Sequence, residues 1–146
     1  MKKTFLIFLL SLFVFCSTGY AEMVDNGDGT VTDTKTGLMW QKAETGPKTW
    51  KEALKYCEAL VLAGYSDWRL PELSELKSIV DSIRDNPTVF PVVKSYNYWS
   101  STTKDGATDY ALSVFLKDGE AYAELGGVYP NQKQNGQGVR AVRSGQ

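Results

Sequence analysis

Apolar and polar positions change rhythm several times along this chain, and each rhythm predicts an element. Phe5 to Phe15 (FLIFLLSLFVF) is an unbroken uncharged apolar run. From Asp25 to Gln41 (DNGDGTVTDTKTGLMWQ), two β-prone runs flank a polar turn ending in Gly37, which predicts a hairpin. Gly46-Pro47 then punctuates the chain. Thr49-Trp50-Lys51-Glu52 is a capping-box pattern, in which the threonine and glutamate side chains satisfy free first-turn amides of a helix. Trp50, Ala53, Leu54, Cys57, Leu60 and Val61 keep helical spacing, and Gly64 is placed to end that helix. A second helix follows Trp68-Arg69-Leu70-Pro71, with Leu73, Leu76, Ile79, Val80 and Ile83 as its apolar stripe, and is over before Asp85-Asn86-Pro87.

The remainder reads as β. Tyr96 to Thr102 is one strand, and Tyr110 to Leu116 alternates from face to face. Asp118-Gly119 is a hairpin turn leading into Ala121 to Leu125, and Val139-Arg140-Ala141-Val142-Arg143 is a short final strand. Residues 126 to 138 are glycine- and amide-rich and read as a loop. Strands, two consecutive helices and more strands make the fold class α+β with an antiparallel sheet.

Lys2 and Lys3 precede the first apolar run, and Gly19 and Ala21 stand at the −3 and −1 positions for cleavage before Glu22. Residues 1–21 therefore read as a secretory signal peptide and 22–146 as one domain, exported to the periplasm or the medium. A membrane anchor would need ~18 or more apolar residues. Lipidation at Cys16 is the minority alternative, and the only route by which a membrane enters the picture. Phe15 before Cys16 argues against it, because lipid attachment wants a small residue there. Without residues 1–21 the chain carries 14 basic and 17 acidic side chains, a net charge of −3. With no basic tract, nucleic acid is not an expected partner.

Cys57 is then the one cysteine left, so no internal disulfide forms, and its place on the apolar helix face reads as burial. The chain has no histidine, which excludes Ser-His-Asp and Cys-His catalysis and removes the usual nitrogen ligand of zinc. No spacing singles out a carboxylate pair for acid–base work. Asp25, Asp28 and Asp33 invite a calcium reading, but the glycines sit at Gly27 and Gly29, not where an EF-hand loop needs one, and Asx-Gly turns explain the cluster. No metal and no cofactor are expected. Arg69, Arg140 and Arg143 read as cross-braces, with Arg143 the most exposed. In Tyr96 to Thr102, Trp99 is expected in the core, while Tyr98 on the opposite face suits either the core or stacking on a sugar.

The series DNGDGTVTD (25–33), TGLMW (36–40), ALKYC (53–57), GYSDWRLP (64–71), Glu75-Leu76, YWSST (98–102) and VRAVR (139–143) resembles the Lcl C-terminal domain family, named after the tail of a bacterial collagen-like adhesin. The resemblance runs in order through nearly all of residues 25–143. It implies a C-type-lectin-like fold, two helices packed on a twisted antiparallel sheet with the chain ends close together. The adhesin binds sulfated glycans, so the resemblance also implies glycan binding. This chain lacks the Gly-X-Y tract that drives collagen trimers, and it lacks the lectin calcium motifs. Formylglycine-generating enzymes share a related fold, but they depend on paired cysteines that residues 22–146 do not have.

The expected function is a non-catalytic, metal-independent binding module that recognises a glycan or an envelope component. The loop 129–137 supplies its surface through Tyr129, Asn131, Gln132, Lys133, Gln134 and Asn135, with Tyr98 as an added candidate. The alternatives are a structural or protein-interaction protein of the envelope and, behind it, a carboxylate-dependent hydrolase.

Overall fold

The structure is a computed structural model and describes residues 22–85, 89–90, 97–116 and 126–145. The signal segment with Cys16, Tyr96, and the Asp118-Gly119 turn with its Ala121–Leu125 strand lie outside the described residues. The chain is α+β, with strands β1 (Met23–Asp25), β2 (Thr30–Asp33), β3 (Leu38–Gln41) and β4 (Thr45–Lys48). Helices α1 (Trp50–Ala59) and α2 (Leu73–Asp85) follow. Strands β5 (Asn97–Lys104), β6 (Ala107–Phe115), β7 (Val128–Gln132), β8 (Gln137–Val139) and β9 (Val142–Ser144) complete it.

Two sheets replace the single one expected. One has the order β1-β2-β3-β9 and the other β4-β8-β5-β6-β7, and the second is not wholly antiparallel, since β5 and β8 run parallel at Tyr98 and Gly138. The expected hairpin is present as β2–β3 around the Thr34–Gly37 turn, with β1 added on the outside. The expected final strand is split. β8 belongs to one sheet and β9 to the other, and Arg140-Ala141 is the step between them.

Local chemistry places the helices. Thr49 caps α1 with both arms of the capping box, its side chain accepting from the Glu52 N–H while the Glu52 carboxylate accepts from the Thr49 N–H at 2.9 Å. The helix stops at Ala59, sooner than expected, because Leu60 turns extended. Val61 is consequently 72% exposed and leaves the apolar stripe. Leu62 and Tyr65 close a tight turn with two reciprocal backbone bonds of 3.0 Å, and Ala63 and Gly64 inside it both have positive φ, 53° and 80°. The first N–H of α2, on Leu73, is capped from another element by Thr102 Oγ1 at 3.1 Å.

Two cores lie on the two faces of the larger sheet. Leu76, Ile79 and Val80 of α2 pack with Phe90, Tyr98, Val114, Trp40 and Val142. Ala53 and Cys57 of α1 pack with Trp99, Ala111, Val139, Ala141, Trp68 and Leu70. Tyr98, Trp99 and Ser100 are thus consecutive and all fully buried. A strand with both faces covered has no wet side, which removes Tyr98 from the set of ligand contacts.

Candidate functional site

Residues 126–138 were expected as a loop, but most of them are strand. β7 pairs antiparallel with β6 in the register Tyr110↔Gln132, Ala111↔Asn131, Leu112↔Pro130, Ser113↔Tyr129 and Val114↔Val128. β7 is the sheet's edge, where Pro130 costs no ladder hydrogen bond. The turn is confined to Lys133 to Gly136, closed by Asn135 N–H donating to the Gln132 carbonyl at 2.9 Å.

That turn is fixed from two sides. Lys133 N–H donates to the Asp109 carbonyl at 2.8 Å, and the Lys133 carbonyl accepts Trp50 N–H at 2.9 Å, satisfying one of the free amides at the start of α1. Lys133 Nζ rests 4.2 Å from the centroid of the Trp50 ring, and the Trp50 indole is held by its own donation to the Ser100 carbonyl at 2.9 Å. Gly136 passes so close to β4 that a Cβ there would stand 3.1 Å from Pro47 Cβ.

Where this turn meets the start of β6, Asp109, Tyr110, Gln132, Lys133 and Gln134 line an open cleft of about 470 Å³. A chain of hydrogen bonds crosses it. Gln134 Nε2 donates to Gln132 Oε1 at 3.0 Å, and Gln132 Nε2 donates to the Tyr110 hydroxyl at 3.1 Å. Lys104 Nζ stands 5.8 Å from the Tyr110 ring centroid. The arrangement offers an aromatic face, amides, one carboxylate and cations seated over rings, a set suited to holding a polar ligand.

The expected ligand residues divide accordingly. Gln132, Lys133 and Gln134 line the cleft. Tyr129 and Asn131 point to the opposite face of β7 from Gln132. There Asn131 Nδ2 donates to Ser113 Oγ at 2.8 Å and is half-buried, and Tyr129 is 37% exposed. Asn135 is an exposed turn residue outside the lining, and Tyr98 is in the core. Asp109 and Tyr110 are not among the expected ligand contacts. Only the pairing of β7 with β6 brings them beside Gln132, and nothing local in the sequence announces that pairing.

A second depression, near 350 Å³, is lined by Thr36, Leu38, Ser74, Glu75 and Ser78. Its one charged group is already engaged. Glu75 takes Arg69 with both oxygens, at 2.6 and 2.7 Å, and accepts the Glu72 N–H as well. Its carboxyl is held below the usual range, first by the Arg69 hydrogen bonds.

The other singled-out side chains serve the fold. Asp25, Asp28 and Asp33 each accept backbone N–H groups two residues ahead, on Gly27, Thr30 and Lys35, so the acids make Asx turns. Among the described residues, no three Cys, Asp or Glu side chains are grouped to hold a metal ion. Burial pushes the Cys57 thiol up to about 12. The arginines are braces, but the expected order of exposure is reversed. Arg143 is buried against the Tyr65 ring and pairs with Asp67 at 2.7 Å, while Arg69 has the exposed side chain. Arg140 is 1% exposed. Its Nη1 donates to the Gln41 and Lys42 carbonyls, and Phe90 and Tyr98 face the guanidinium with centroids at 4.5 and 5.8 Å. Its Nε and Nη2 have no hydrogen-bond partner among the described residues.

The sequence model of the Lcl C-terminal domain matches residues 29–143, most of the chain, and the chain belongs to that family. No curated protein matches the chain.

Proposed function

We propose that this member of the Lcl C-terminal domain family is an exported, non-catalytic binding module that recognises a glycan or another envelope or extracellular component. The family is not a known enzyme family, which supports a non-catalytic reading. The observation that carries the reading is the cleft at Tyr110, Gln132 and Gln134, whose walls are fixed by Lys133 to both β6 and α1. A rigid site with an aromatic face and convergent amides is what a weakly binding polar ligand needs, because little ordering entropy is spent on capture. Two helices on the two faces of a curled sheet, with Glu22 and Gly145 both bonded to the Thr34–Gly37 turn, support a C-type-lectin-like reading of the scaffold.

A glycan array and a pull-down from envelope extract test the reading. The native protein is compared with a Tyr110→Ala, Gln134→Ala variant and with a Tyr129→Ala, Asn131→Ala variant. The first pair is expected to lose ligand and the second to keep it. Identical profiles for all three would remove the cleft assignment. A second reading, a protein-interaction role in the envelope, is favoured by the exposed Val128 and Tyr129 on the sheet edge. It would be supported by a stoichiometric protein partner lost with the second variant.

A further inference from the structure

The sequence holds two Asn-Gly pairs, Asn26-Gly27 and Asn135-Gly136, and the fold treats them oppositely. We infer that Asn135 is a site of spontaneous deamidation and isoaspartate formation in the folded protein, while Asn26 is protected. Both asparagines are exposed, so exposure does not separate them. Hydrogen bonding does. Asn26 Nδ2 donates to the Thr30 and Thr32 hydroxyls at 2.8 and 2.9 Å, and the Gly27 N–H donates to Asp25 Oδ1 at 3.0 Å. Among the described residues, the Asn135 side chain and the Gly136 N–H make no hydrogen bond, and the Asn135 N–H alone is engaged, with the Gln132 carbonyl.

In the reaction the Gly136 nitrogen loses its proton and attacks Asn135 Cγ, the C–N bond of the side-chain amide breaks, and ammonia leaves. Water then opens the succinimide ring. Attack at Cγ gives aspartate, whereas attack at the main-chain carbonyl leaves the chain running through Cβ and Cγ as isoaspartate. Glycine exposes the attacking nitrogen because it has no side chain to shield it. The fold does not readily exchange that glycine, since a Cβ at Gly136 would stand 3.1 Å from Pro47 Cβ. At Asn26 the attacking nitrogen and the leaving group are both tied, and three bonds worth about fivefold each slow the reaction roughly 100-fold. Either product puts a new carboxylate beside Gln134 of the cleft, and isoaspartate also lengthens the backbone just before Gln137, which pairs with Lys48.

The test ages the full protein in mildly alkaline buffer, folded and in urea, and follows both positions over time by peptide mapping with isoaspartate detection. In the folded protein Asn135 should convert about 100-fold faster than Asn26. In urea the two rates should converge, since both are Asn-Gly pairs and the fold alone separates them. Asp25→Ala, which frees the Gly27 N–H, should raise the folded rate at Asn26 about fivefold and leave the rate at Asn135 unchanged. Equal folded rates at the two positions, or conversion of Asn135 that occurs only in urea, would overturn the assignment. An unchanged rate at Asn26 in the Asp25→Ala variant would remove hydrogen bonding as the source of its protection.

Discussion

Arg140 poses a quantitative question that substitution can answer. Burial lowers its pKa from 12.5 to about 10, with Glu44 opposing the shift, so the cation is disfavoured by about 3 kcal/mol relative to water. That penalty is fully present at every pH below about 10 and is relieved only as pH rises from there toward 12.5. Against it stand two charge-assisted hydrogen bonds to the Gln41 and Lys42 carbonyls, worth about 1.5–3 kcal/mol each, and the Phe90 and Tyr98 faces, worth about 1 kcal/mol. The balance is a net contribution of roughly 1–4 kcal/mol, well below what the hydrogen bonds and ring contacts alone suggest.

Arg140→Met keeps most of the volume and removes the desolvated charge, so it should cost about 1–2 kcal/mol. Arg140→Ala adds a cavity and should cost about 4 kcal/mol. Arg140→Lys keeps a charge that is more strongly hydrated and loses the planar fork, so it should cost more than the methionine. Urea denaturation followed by tryptophan fluorescence measures all three. At a constant slope, the methionine variant should shift the midpoint by on the order of 1 M. A lysine variant more stable than the methionine variant would refute the reasoning, because charge would then outweigh shape and ring contact.

Four further expectations concern other parts of the fold. Cys57, with its thiol at about 12, should resist maleimide at pH 8 in the native domain and react once urea unfolds it; rapid native labelling would contradict its burial. Thr49→Ala should cost about 1 kcal/mol by removing the capping box, read as a lower thermal midpoint. Ala63 holds φ 53°, a conformation costing an L-residue roughly 1–2 kcal/mol, so Ala63→Asn should stabilise the domain by about 0.5–1 kcal/mol in the same melt; a loss would mean that the turn is not strained. Glu75 has its folded pKa lowered by Arg69, so its contribution is present above the unfolded value of 4.5 and lost as pH falls through the folded one. Thermal melts from pH 6 to pH 2.5 should therefore fall less steeply for Glu75→Gln than for the native protein.

What could be read from the sequence was local. The capping box of Thr49 and Glu52 needs four residues, and the α2 stripe of Leu76, Ile79 and Val80 needs one helical face. Period-two reasoning failed at Tyr98 because it assumes a strand with one dry side, whereas α1 and α2 dry both. β7 was hidden for a different reason. Its tyrosine, proline and amides lack a strand's usual composition, and its conformation comes from β6, 16 residues earlier between Ser113 and Tyr129. The candidate site shared that fate, since Gln132 and Lys133 were visible as polar residues while Asp109 and Tyr110 became part of the site only through register. Val61 was misassigned because Leu60 leaves the helix one turn before Gly64 would have stopped it.

The step at Arg140-Ala141 ties the two sheets into one cooperative unit. Ala141 N–H donates to the Gln41 side chain, Gln41 N–H returns a bond to the Ala141 carbonyl, and Arg140 holds the Gln41 carbonyl, all within two residues of both β8 and β9. Opening either sheet strains this junction, so partial opening gains little entropy before the other sheet must follow. Amide hydrogens at Val139 and Val142 should then exchange with the same free energy, each reporting global unfolding, and the ends of the domain should come apart in a single event.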